Sequence, residues 1–175
     1  RGANHREAQE EVFMNVDSPG HPLLAPFPDE GFTLRDEFFR VGEPYSRKRV
    51  RVLLSIDTEK TDLSGKPPER EDGDYAMAWV RHYGRGRVFY STVGHNPYQF
   101  WDPAMLEFYL RAAQFVLGDL EAPTIPSAKL TPAIRAQEQL GWRLGITAYT
   151  FHRYTLFKTI EKTDQVGLAY LGGLD

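Results

Sequence analysis

Residues 75–93 hold two apolar runs, YAMAWVRH and RVFYSTV, joined by YGRG, and the second run halts at Gly94-His95-Asn96-Pro97. A connection that short and glycine-rich specifies an antiparallel hairpin. In the second run Val88, Tyr90 and Thr92 alternate with Phe89, Ser91 and Val93, and both sets suit a strand covered on its two faces, as in an α/β sheet. Gly94 allows a turn or a close approach, and Pro97 cannot continue a ladder. His95 therefore falls at the carboxyl end of a sheet strand, where open α/β sheets bind ligands. It reads either as a catalytic acid or base, since imidazole titrates near neutral pH, or as a loop histidine bonded to the start of the next helix.

The next helix is well marked. Asp102 is an N-cap, Pro103 fits the first helical position and Gly118 lies just past the end. Leu106, Tyr109, Leu110, Ala113 and Leu117 follow helical spacing and predict a core-facing stripe, widened by Phe108 and Phe115. Upstream, residues 11–16 read as a strand and 32–41 as either a strand or a helical turn. Residues 49–57 read as a strand with Val50, Val52, Leu54 and Ile56 on one face. The basic cluster SRKRVR at 46–51 reads as the solvated start of that strand, and the polar stretch 58–74 as a surface loop. Asp36 and Glu37 are adjacent, so in a strand they point to opposite faces and do not pair on one substrate. His21, between Gly20 and Pro22, is a candidate to converge on His95 or simply a turn residue.

Composition removes several classes of function. With 41% hydrophobic residues in 175, a real core is affordable, and a net charge of −3 provides no broad footprint for nucleic acid. No apolar stretch is long enough to span a membrane. Zero cysteines exclude disulfides, thiolate catalysis and cysteine-bound zinc from this stretch of chain, while leaving the compartment, cytoplasmic or periplasmic, and the oligomeric state open. No P-loop, G-x-S-x-G elbow, H-E-x-x-H or dinucleotide fingerprint occurs.

Residues 118–133, with three prolines and no periodicity, predict a linker. Beyond it, WRLGITAYTFH reads as a strand, TLFKTIEKTDQVG as a helix and LAYLGGLD as the start of a second strand. One β-α-β opening cannot close a core alone, so the chain is expected to be cut at both ends.

Three segments carry a resemblance: HPLL at 21–24, RDEFF at 35–39 and MAWVRHYGRGRVFYSTVGHN at 77–96. With them, residues 1–121 resemble the C-terminal part of a ThuA-like (trehalose utilisation) domain. That resemblance implies an α/β fold of the flavodoxin-like, class I glutamine amidotransferase-like kind. Its amidotransferase relatives carry a Cys-His-Glu triad, with the histidine where His95 stands. Here Asn96 and Pro97 follow that histidine instead of a Pro-Glu pair, which speaks against glutaminase chemistry. Residues 122–139 would be the linker. Residues 140–175 look like the first β-α-β unit of a xylose isomerase-like TIM barrel of the sugar phosphate isomerase/epimerase type. In that family the divalent metal is held by residues of later strands, so this stretch contributes no cofactor site and no metal ligand.

The two resemblances together imply carbohydrate catabolism, with acid/base proton transfer on a small-molecule sugar or keto-sugar. His95 is the expected catalytic residue. His21, Tyr98, Trp101 and His152 are the expected substrate-binding residues; Tyr98, Phe100 and Trp101 are stacking platforms or core packing, and His152 lies at the active face of a barrel. The alternative is a non-catalytic carbohydrate-binding or scaffolding module. The stretch alone is expected to be inactive.

Overall fold

The computed structural model describes residues 3–4, 10–63, 70–168 and 170–173. Two compact units are present, Arg1–Ser127 and Ala128–Asp175.

In the first unit the strands are β1 (Ala3–Asn4), β2 (Glu10–Val16), β3 (Phe32–Asp36), β4 (Arg40–Val41), β5 (Arg51–Ile56), β6 (Ala76–Tyr83) and β7 (Gly86–Ser91), followed by helix α1 (Pro103–Leu117). Residues 32–36 and 40–41 are thus strand, and 37–39 between them belong to neither strand nor helix. Five strands make a curled sheet in the order β3-β2-β5-β6-β7, and β1 pairs with β4. Every described pairing in this unit is antiparallel. The α/β class holds, but a parallel flavodoxin-like sheet is not found among the described residues. Parallel neighbours need a crossover, usually a helix, and here loops and 3-10 turns join the strands instead. The hairpin forms as expected, turning at Gly84 with φ +57°.

Strand β5 is buried along its whole length, but not as one regular face. Its register shifts between Val52 and Leu54. A bulge changes which side successive residues address. Val50 and Val52 therefore pack with Tyr45 and Ala76, while Leu54 and Ile56 join the main core. The basic cluster before the strand is not simply solvated: Arg51 is buried and its Nε donates to Ser18 Oγ at 2.7 Å. Arg47 bridges Asp17 and Asp74. The loop expected at 58–74 is described only in part, residues 64–69 lying outside the described ones.

Helix α1 starts and stops where its caps predict. Asp102 accepts from the Met105 N–H at 2.9 Å, and Gly118 takes the left-handed conformation. The buried face is a different one from the leucine stripe: Met105, Phe108, Ala112 and Phe115 point inward. Leu106 and Leu110 are exposed, and Leu117 is 78% exposed. The aromatics decide the rotation. Phe108 meets Phe27 and Phe89 edge-on with ring centroids 5.3 and 5.4 Å apart, and large rings bury more apolar area than leucines.

The second unit contains α2 (Pro132–Leu140), β8 (Gly145–Thr147), α3 (Leu156–Gln165) and β9 (Tyr170–Gly172). Part of the expected linker is therefore helix, started by Thr131, which accepts from the Ile134 N–H, and stopped by left-handed Gly141. Short helices are hard to see without a long periodic stripe, and α2 buries no residue. Strands β8 and β9 are parallel, with α3 between them in the chain: one β-α-β unit, without further strands of a barrel among the described residues.

Candidate functional site

The end of β3 and the turn after β7 are tied together at three successive residues. The Arg35 carbonyl accepts from the Tyr98 hydroxyl and from Gln99 Nε2, both at 2.7 Å. The buried Asp36 carboxylate accepts from the backbone N–H groups of Gly94 (2.7 Å), His95 (3.2 Å) and Asn96 (2.9 Å), and from Asn96 Nδ2 (2.6 Å). Glu37 Oε2 lies 2.9 Å from His95 Nε2.

This departs from the alternation expected of adjacent strand residues. Strand β3 ends at Asp36, so the rule that sends neighbours to opposite faces lapses at Glu37. Both carboxylates reach the same turn, one its backbone and the other its ring. The carboxylate beside the His95 ring thus comes from Glu37 and not from the residues that follow His95 in the chain.

The dyad has a defined polarity. The Glu37 side chain is 7% exposed and that of His95 45%. An ionised Glu37 can only accept, so Nε2 carries a proton, and in the neutral ring Nδ1 then keeps its lone pair. No described hydrogen bond occupies Nδ1. A buried carboxylate behind a half-open imidazole is an arrangement for accepting a proton on Nδ1 and stabilising the resulting imidazolium.

The surroundings hold the turn in place. Gly94 has φ +108°, and a Cβ there would stand 3.1 Å from the Phe100 ring and 3.2 Å from the Tyr109 hydroxyl. That hydroxyl donates to the Val93 carbonyl. Burial pushes the Tyr109 hydroxyl's pKa up, keeping it a donor.

The other expected site residues separate. Tyr98 is half-exposed beside His95, with its hydroxyl committed to Arg35; Phe100 is likewise half-exposed, and Trp101 is 82% exposed. Phe100 packs on the Tyr109 ring, with centroids 5.8 Å apart, whereas Trp101 is not a core residue. His21 is only 3% exposed. Its Nδ1 accepts from the Leu23 N–H at 3.3 Å and its Nε2 donates to the Pro123 carbonyl at 3.0 Å. Burial, reinforced by Arg51, lowers its pKa to about 4. No described hydrogen bond joins it to His95; the geometry is that of a neutral capping histidine. His152 belongs to the second unit, exposed, its Nδ1 3.0 Å from the Tyr149 carbonyl.

Asn96 and Gln99 are residues that sequence reasoning missed, and Asp36 and Glu37 are ones it set aside as neighbours pointing to opposite faces. The available signal was Asp36-Glu37 at a strand's end in RDEFF, beside a second strand ending in Gly-His. A separate open groove, lined by Asp17, Arg47, Asp57, Asp72 and Asp74, does not include His95. Its acids are partly satisfied within the protein: Tyr45 donates to Asp74 at 2.8 Å, and Arg47 to Asp17 and Asp74. Among the described residues no group of three or more His, Cys, Asp or Glu side chains is placed to hold a metal ion, and no helix is long and apolar enough to cross a membrane.

The first unit is thus an α/β domain, an antiparallel sheet with a helix packed on it and a histidine at a strand's end. The ThuA family, described as trehalose utilisation, matches residues 1–116, and the chain belongs to it. Among solved structures, a ThuA-like protein from Bacteroides uniformis is similar at 23% identity and a TM-score of 0.47, over 65% of this chain and 45% of that one. The chain thus spans less than half of that protein's length. No curated protein matches the chain. Membership of the trehalose utilisation family suggests a carbohydrate-related role.

Proposed function

We propose that the first unit acts on a sugar or keto-sugar by proton transfer, with His95 as the general base and Glu37 as the group that orients and charges it. The observation that carries this reading is the contact of 2.9 Å between a buried carboxylate and a half-exposed imidazole. In the step, His95 Nδ1 takes a proton from a carbon next to a carbonyl. The electron pair of the broken C–H bond passes into the carbonyl π system as an enolate. The imidazolium, held by Glu37, then returns the proton to carbon or oxygen. A positioned acid/base of this kind contributes ~10²–10⁴-fold. The exposed Tyr98 and Trp101 rings, which follow His95 in the chain, are the surfaces on which a sugar would stack, and His21 and His152 are not needed for the step.

The β-α-β unit at β8-α3-β9 supports a second proposal, that residues 140–175 open an isomerase/epimerase-type barrel. Its divalent metal would be held elsewhere, and no part of the His95 step runs through it.

The test is solvent-deuterium exchange, followed by NMR, on keto-sugars derived from trehalose. Exchange next to the carbonyl, lost in His95→Ala with sugar binding retained, is the expected result. Binding with no exchange, unaltered by His95→Ala, would make the unit a non-catalytic carbohydrate-binding module.

A further inference from the structure

We infer that Asp36 is a positioning residue for His95; the inference rests on the acid/base reading of the dyad and extends it. Three consecutive backbone N–H groups, those of Gly94, His95 and Asn96, converge on one carboxylate, and the Asn96 amide adds a fourth donor. Consecutive N–H groups that curl around a point form an anion-binding concavity, and here the anion is internal. Bonds to an ionised acceptor are the short, strong kind.

The strand does not need this side chain. Asp36 is already held in the ladder opposite Glu10 through its backbone. All four of its described side-chain bonds go to the segment that carries His95. Fixing the backbone of residues 94–96 fixes the direction in which the His95 side chain leaves the chain. Glu37, the next residue along, then receives the ring. One dipeptide therefore holds His95 at both ends, backbone by Asp36 and imidazole by Glu37. A turn loosened by a fraction of an ångström changes the Nε2–Oε2 contact, and catalytic geometry tolerates little such error.

The test needs no substrate. Two-bond proton–nitrogen spectra of the full chain, labelled with ¹⁵N-histidine, report which ring nitrogen of His95 carries the proton. Wild type is expected to show the Nε2–H form alone. Glu37→Gln and folded Asp36→Asn are each expected to give a mixture with the Nδ1–H form, although Asp36 touches no atom of the ring. If Asp36→Asn does not fold, Asn96→Ala replaces it: that variant keeps the carboxylate, removes one donor and should show a minor Nδ1–H population. A pure Nε2–H ring in the folded Asp36→Asn or its substitute, with Glu37→Gln giving the mixture, overturns the role of Asp36 while the dyad stands. A ring indifferent to Glu37→Gln overturns the dyad itself.

Discussion

His95 and Glu37 meet at 2.9 Å although the strand that delivers Glu37 and the strand that delivers His95 lie on opposite edges of the sheet. Their contact is made beyond the strand ends, where loops from the two edges close over one another. Removing the carboxylate should therefore affect chemistry more than folding. Glu37→Gln is expected to keep the wild-type melting temperature within a few degrees and to lower proton-exchange turnover by about 10-fold or more, since a neutral amide stabilises an imidazolium less. Calorimetry beside the exchange assay checks both halves.

Gly94 is the residue of the turn least open to change. Its φ of +108° is strained for any other residue, and the nearby Phe100 and Tyr109 atoms would have to give by a few tenths of an ångström to admit a Cβ. Gly94→Ala should destabilise by ~1–3 kcal/mol, from backbone strain and overpacking together. It should also disturb the His95 ring signals, and a chemical denaturation curve paired with the histidine spectrum tests it.

The rotation of α1 can be tested with two truncations. Phe108 is buried against Phe27 and Phe89. Phe108→Ala should cost about 3–5 kcal/mol. Leu110, on the exposed side, should cost within about 0.5 kcal/mol when changed to Ala. Equal losses in urea titrations would mean that the helix is turned the other way.

His21 predicts a pH dependence with a definite sign. Its pKa falls from 6.5 to about 4 on folding, first because burial disfavours the charged ring. Above pH 6.5 the ring is neutral in both states and costs nothing. Below it, the unfolded chain binds a proton that the folded chain refuses until about pH 4. Stability should therefore drop as pH falls through this window, by ~3 kcal/mol in all. His21→Gln should flatten that part of the profile; a slope unchanged in the variant would assign the loss to other groups.

What could be read in the residues is local. The Asp102-Pro103 start and the Gly118 stop of α1 need only neighbours along the chain, as do the Gly84 turn and the halt of β7 before Gly94. The rotation of α1 was misread because helical spacing marks two apolar faces, Leu106-Leu110-Leu117 and Met105-Phe108-Phe115, and only the shape of the sheet and its rings chooses between them. The phase of β5 was misread in the same way, since a bulge after Val52 leaves no mark in an unbroken apolar run.

The site divides along the same line. His95 stood out because a strand must end somewhere and glycine, histidine and proline mark the place. Glu37 and Asp36 did not, because a hydrogen bond across 59 residues, like that of the His95 N–H to Asp36, has no spacing to recognise. Sequence determined the elements, their caps and the histidine at the strand's end, since those follow from backbone sterics and short-range bonding. Tertiary structure alone decided that the strands outside the β6-β7 hairpin also run antiparallel, which helix face is buried and which carboxylates meet the histidine, because each depends on where distant segments come to rest.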